Sequence, residues 1–149
     1  MHDKTTLGWR EWVALPELGI AVLKAKVDTG ARTSTLHAFR METFERNGQT
    51  RVRFAIHPFQ KRTDVVVECE ADVVDQREVT DSGGHKELRY VIRTPVHLAG
   101  RDIPVEITLT DRDTMKFRML LGRTSLREGF VVDPAGSYMT GKPQRKKST

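Results

Sequence analysis

The sequence predicts an all-β fold, a small closed barrel with one short C-terminal helix. Three observations predict it. Apolar and polar residues alternate over short runs, as in Ile103, Val105, Ile107 and Leu109, which is the period of a half-buried strand. Turn residues such as Asn47-Gly48, Gly83-Gly84 and Ala99-Gly100 separate the runs. There is no heptad pattern and no internal repeat, and a single short stretch reads as helix. A chain of many short strands buries its edges most readily by closing on itself.

In chain order, Thr6 to Val13 carries Leu7, Trp9, Trp12 and Val13 and reads as a short edge strand or packing arm, followed by a turn at Leu15-Pro16-Glu17. Leu18 to Val27 is an apolar strand that runs into Asp28-Thr29-Gly30-Ala31, and Thr33 to Arg40 is the next strand. Met41 to Arg46 leads into Asn47-Gly48, a two-residue hairpin signal, and Thr50 to Ile56 alternates Val52, Phe54 and Ile56 against Arg51 and Arg53. His57-Pro58 ends that strand. A polar loop from Gln60 to Asp64 precedes a β-rich run from Val65 to Val74.

Gln76 to Thr80 extends into the glycine tip Gly83-Gly84, and Glu87 to Leu98 returns with Leu88, Tyr90 and Ile92 alternating. Ala99-Gly100 turns the chain into Ile103 to Thr110. Asp111-Arg112-Asp113 then turns it toward the apolar run Phe117 to Leu121. Gly122-Arg123 breaks this run, Thr124 suits an N-cap for a helix from Ser125 to Glu128 closed by Gly129, and Phe130 to Val132 is the last strand.

The 149 residues suffice for one domain, expected over residues 1–137, with a basic tail over 138–149 expected to be disordered. Charged residues are 30% of the chain and apolar ones 38%, a globular composition with no spanning segment, so no membrane association is expected. The N-terminal MHDKTTLGWREW is charged and lacks the apolar core of a secretory signal, which points to the cytoplasm. Cys69 is the single cysteine and reads as an inert thiol in a strand. The net charge of +5 gathers in the tail and between Lys24 and Arg40. Without aromatic residues beside the basic tail, nucleic acid is not an expected partner.

The chain is organised around Asp28. A carboxylate at the tip of a buried strand is costly unless it is paired, hydrogen-bonded or shares a proton. Thr29 can offer its hydroxyl to the backbone, Gly30 allows a positive φ or a close backbone approach, and Ala31 leaves room for a ligand above the turn. An acid mounted in this way is rigid, as a catalytic group needs to be. Other chemistries find less support. The five histidines are dispersed, neither HExxH nor CxxC occurs, and no nucleophile elbow or nucleotide-binding glycine motif is present, so neither metal nor cofactor is expected.

A strand ending in DTGA with Ser34 beyond it, a glycine-tipped hairpin, and Leu120-Leu121-Gly122-Arg123 before a helix together resemble the ordered signature of a retropepsin-like aspartic protease. The segments AKVDTGARTSTLHA and ITLTDRDTMKFRMLLGRTSL resemble, more closely, a bacterial family commonly labelled ATP-dependent zinc proteases and linked to an ATP-grasp ligase that adds glutamates to a ribosomal protein.

The resemblance implies a retropepsin-like barrel and peptide-bond hydrolysis by a homodimer. Asp28 would be the acid, Thr29 the brace of the turn and Gly30 its glycine, with Ala31 and a flap at Gly83 and Gly84 on the substrate. Gly122, Arg123 and Arg32 would form structural or dimer contacts. Retroviral enzymes place a carboxylate where Arg32 stands, so Arg123 is expected to find Glu128, Asp111 or Asp113 instead. Lys26, two residues before Asp28, shares its face of the strand and is expected to pair with it or shift its working pH; Lys24 points the same way. Expected partners are a peptide or protein substrate, a second copy, and a glutamate ligase or ribosomal protein. Two alternatives stand beside this reading: a non-catalytic module docking on that ligase or ribosomal partner, and the zinc peptidase of the family label.

Overall fold

In the computed structural model, residues 4–59, 62–80, 83–111, 116–127 and 129–143 are described. The N-terminal run breaks at Gly8 into β1 (Thr5–Leu7) and β2 (Arg10–Leu15). The break has a steric cause, because a Cβ on Gly8 would collide with the carbonyl of Gly136. A 3-10 turn, Pro16–Leu18, leads to β3 (Ile20–Asp28), β4 (Ser34–His37), β5 (Arg40–Arg46), β6 (Gln49–Ile56), β7 (Val67–Asp72) and β8 (Asp75–Thr80). Then come β9 (Lys86–Leu98), β10 (Arg101–Thr110), β11 (Met119–Gly122), the four-residue helix α1 (Arg123–Leu126) and β12 (Phe130–Val132).

Seven strands hydrogen-bond in the order β10-β4-β11-β3-β2-β9-β8, and β9 also pairs antiparallel with β10 from Arg101 to Thr108. The second pairing closes six strands into the expected barrel and leaves β8 outside. β2 is therefore a wall strand between β3 and β9, not an edge. β11 runs parallel to β3 and antiparallel to β4, which sets Gly122 level with Asp28 and Leu120 level with Lys26. Leu23, Leu36, Ile92, Ile107, Leu109 and Met119 fill the interior. Asn47-Gly48 and Ala99-Gly100 both adopt positive φ in two-residue hairpins, as their sequences require.

β5, β6 and β7 form a separate three-stranded sheet. Its inner face adds Val52, Phe54, Ile56 and Cys69 to the core, while its outer face is zipped by Arg40–Glu68, Arg53–Glu42 and Arg51–Asp72. Exposed pairs of this kind add little stability singly but cover a surface that would otherwise be open.

Two further parts of the sequence reading change. The hairpin alternation reverses near its tip: Leu88 is 67% exposed while Arg89 is 7% exposed. β9 leaves the barrel there, and its inward side meets the hydroxyl of Thr35, which suits a guanidinium better than a leucine. The helix begins two residues early, at Arg123, with Gly122 at its N-cap. Thr124 does not cap it because its hydroxyl bonds elsewhere.

The C-terminal segment packs on β2 as far as residue 143. Tyr138 stacks on Trp12 at 5.2 Å, and Lys24 and Lys142 lie over the Trp12 ring. Glu11, fully buried, accepts hydrogen bonds from the N–H groups of Gly8, Met139 and Thr140 and from the Thr140 hydroxyl. Among the described residues, no helix is long and apolar enough to cross a membrane.

Candidate active site

Asp28 is the last residue of β3 and is half-buried. Its Oδ1 accepts the Gly30 N–H at 3.0 Å, and its carbonyl accepts the Ala31 N–H at 3.2 Å, so the turn closes on its own acid. Gly30 serves by close approach and not by positive φ: a Cβ there would lie 3.3 Å from Asp28 Oδ1. Thr29 is exposed, and among the described residues its hydroxyl has no partner within the protomer.

The start of α1 holds the other side of the turn. The Arg123 N–H donates to the Ala31 carbonyl at 2.8 Å, Arg123 Nη1 to the Gly30 carbonyl at 3.3 Å, and Thr124 Oγ1 to the Arg32 carbonyl at 2.7 Å. Gly122 permits this approach, since a Cβ on it would sit 2.5 Å from the carbonyl carbon of Thr33. Its N–H donates to Ser34 Oγ, which also meets Ser125 Oγ at 2.9 Å. Behind them Thr35 Oγ1 bonds Thr108 Oγ1 at 3.0 Å. The turn is thus fastened from two strands and a helix, and its carboxylate is pre-oriented.

Asp28, Gly30, Ala31 and Arg32 open onto a groove of about 1270 Å³. That exceeds the usual span of small-molecule pockets, roughly 300–1,000 Å³, and suits a length of extended chain. The far wall is β8, from Arg77 to Thr80, with Arg89, Arg93, Val105 and Glu106 along the floor and side. Gly83 and Gly84 lie at the hairpin end, beyond the residues that line the groove. Arg77 reaches across from β8 to Glu106 on β10 at 2.9 Å and also pairs with Asp75; the Glu106 bond, then the Asp75 bond, hold its guanidinium more firmly protonated than usual.

The cations beside Asp28 behave differently from expectation. Lys24 turns away onto the Trp12 and Tyr138 rings. Lys26 is exposed, and among the described residues neither it nor Arg32 nor Arg123 has a carboxylate within ion-pair distance. Asp111 does not reach Arg123, whose guanidinium takes the Gly30 carbonyl, and Asp113 and Glu128 lie outside the described residues. Among the described residues no group of three or more His, Cys, Asp or Glu side chains could hold a metal ion, so the zinc reading has no donor set there.

Sequence reasoning did not identify Thr124, Ser125, Arg77, Arg89 or Arg93 as parts of the site. The hydroxyl pair directly after Gly122-Arg123 was the available signal for the first two. Nothing local marks the arginines, because the fold of the hairpin over the barrel brings them to the groove.

A sequence model of the RimB-like family, described as retropepsin-like aspartic endopeptidase RimB, matches residues 6–143. A probable alpha-L-glutamate ligase of Shewanella pealeana is 44% identical over 140 residues, 94% of this chain and 31% of that protein. A protein of the same description from Desulfotalea psychrophila is 45% identical over 143 residues, again 31% of its length. The chain therefore spans less than a third of these relatives. A crystal structure of a Legionella pneumophila protein of unknown function is similar with a TM-score of 0.75 and 26% identity, covering 91% of this chain and 98% of that one.

Proposed function

The chain belongs to the RimB-like family of retropepsin-like proteins, and from that membership we propose that it is an aspartic endopeptidase whose active form is a homodimer with one Asp28 from each copy. The observation that carries this reading is the carboxylate of Asp28, fixed by the Gly30 N–H at the mouth of a groove wide enough for a peptide. Aspartic-protease chemistry uses two carboxylates that share one proton, and one protomer supplies one of them. A twofold axis through the site supplies the second. The exposed Thr29 and Gly30 leave this face of the turn accessible to that second copy.

In the dimer, the ionised Asp28 takes a proton from a water as its oxygen attacks the scissile carbonyl. The protonated Asp28 gives its proton to the carbonyl oxygen. Collapse of the tetrahedral diol breaks the C–N bond: the leaving nitrogen takes a proton from the carboxyl that received it from water, and one diol hydroxyl returns its proton to the other Asp28 as the C=O bond reforms, which restores one shared proton. Hydrogen bonds from the Arg123 backbone and side chain and from Thr124 keep the turn from shifting during these transfers. The hairpin of β8 and β9 serves as the flap that excludes water. Arg32 and Arg93 along the groove, neither of them ion-paired among the described residues, favour acidic peptides.

Relatives described as glutamate ligases contain this region as under a third of their length, and that supports a second reading. In it, the domain works in the cytoplasm beside a glutamate ligase or its protein substrate and binds acidic chain without cutting it. Incubating an unstructured acidic protein with wild type and Asp28→Asn from acid to neutral pH separates the two. Cleavage by wild type that disappears in Asp28→Asn supports the endopeptidase. A folded dimeric wild type that binds the acidic chain and leaves it whole supports the binding module.

A further inference from the structure

The cations of the groove and of the acid turn beside it fall into two groups. On the hairpin, Arg89 is paired with Glu87 at 3.0 Å and Arg77 with Glu106 and Asp75, and Arg93 has no carboxylate partner among the described residues. Those next to the acid have no such partner among the described residues. Lys26 stands on the same face of β3 as Asp28, Arg32 follows the turn, and Arg123 touches the Gly30 carbonyl. All three are exposed, and among the described residues none has a carboxylate partner. Three exposed positive charges therefore lie on the strand and turn that carry the acid and on the helix start that braces it, and two protomers meeting at Asp28 would bring both sets toward one axis against two carboxylates that share a proton.

We propose that association of two copies depends on an anionic peptide: the collar of Lys26, Arg32 and Arg123 opposes the empty dimer, and an acidic chain laid through the groove neutralises it and joins the protomers. The inference rests on the dimeric endopeptidase reading and adds its regulation, since the substrate then assembles the enzyme that cuts it. Like charges placed across an interface suppress association, and a complementary polyanion reverses that. Simple salt screens such charges beyond about 8 Å at 0.15 M. Salt should therefore tighten the empty dimer and loosen the peptide-bound one.

Sedimentation velocity on wild type, with Asp28→Asn run in parallel to keep the peptide intact, tests this with a decapeptide of aspartate and glutamate against its asparagine and glutamine counterpart. The acidic peptide should tighten the dimer by about tenfold or more, within the usual range of binding couplings, while the neutral peptide leaves it unchanged. Lys26→Gln combined with Arg32→Gln should dimerise without peptide; Arg123 is left intact because it braces the turn. A dimer of equal strength with and without acidic peptide, or a double variant no tighter than wild type, overturns the proposal. If that constitutive dimer still cleaves the peptide, as mass spectrometry of the same samples reports, the endopeptidase reading survives; a wild type that stays monomeric in every sample and cleaves nothing overturns both.

Discussion

Thr124 Oγ1 donates to the Arg32 carbonyl at 2.7 Å, and through this bond the start of α1 grips the chain leaving the Asp28 turn. The bond spans 92 residues of sequence and ends in an exposed hydroxyl, so it contributes more to the position of the turn than to global stability. Thr124→Val should cost about 1 kcal/mol in unfolding free energy, the usual worth of one hydrogen bond. On the proposed endopeptidase reading it should lower kcat by about tenfold with KM nearly unchanged, because displacing the proposed general base raises the barrier more than it weakens binding. Thr124→Ser should restore kcat. Urea unfolding together with cleavage kinetics checks both parts.

The ion pair from Arg77 on β8 to Glu106 on β10 fastens the β8–β9 hairpin to the barrel wall. Both side chains are more than a third exposed, so the pair is worth at most about 1 kcal/mol. Arg77→Gln should leave the melting temperature within a few degrees of wild type and raise amide exchange in residues 75–80 by about threefold. Hydrogen-exchange mass spectrometry measures this, and an unchanged rate would mean that backbone pairing with β9 alone holds β8 in place.

Much of the barrel is legible in the sequence because its determinants are local. Ile103 to Leu109 alternate as they must on a strand with one buried face, and Asn47-Gly48 dictates its own turn. The acid turn is legible for the same reason, since Asp28, Thr29 and Gly30 are neighbours. Features settled by distant partners were not legible. Glu11 sits between two tryptophans like a surface charge, yet three of its four hydrogen bonds come from Met139 and Thr140, 128 and 129 residues away. Lys24 shares parity with Asp28 but is drawn to two aromatic rings, one of them from the C-terminal segment. Arg89 faces inward because the hydroxyl it meets comes from β4, and alternation within β9 carries no record of that.

Glu11 is the strongest single fastening of the C-terminal segment. Its two oxygens accept four hydrogen bonds in a fully buried setting, and an amide cannot reproduce them because one of its two polar atoms only donates. Glu11→Gln should cost about 2–3 kcal/mol, as expected for hydrogen bonds to a buried charged acceptor. Tyr138 should then leave Trp12, so a shift in tryptophan fluorescence should accompany the loss of stability in urea. A loss of stability with unchanged fluorescence would place the effect at Gly8 instead.

Cys69 is 3% exposed on the inner face of β7, and burial pushes its thiol pKa up from 9.0 to about 12. Burial disfavours the thiolate, so the folded protein holds the proton more tightly than the unfolded chain does. The sign follows from linkage: a raised folded-state pKa contributes stability that is fully present below pH 9 and is lost as the pH rises toward 12. Between those values the unfolded chain releases the thiol proton while the folded protein retains it. Wild type should therefore lose stability more steeply from pH 9 to 12 than Cys69→Ala, whose midpoint in urea should be lower at neutral pH through the cavity it leaves. Below pH 9 the two curves should run parallel. Iodoacetamide should label wild type at pH 8 only as fast as the protein opens, so added urea should accelerate labelling in step with unfolding; labelling at the rate of a free thiol would show that Cys69 is not sealed in the core.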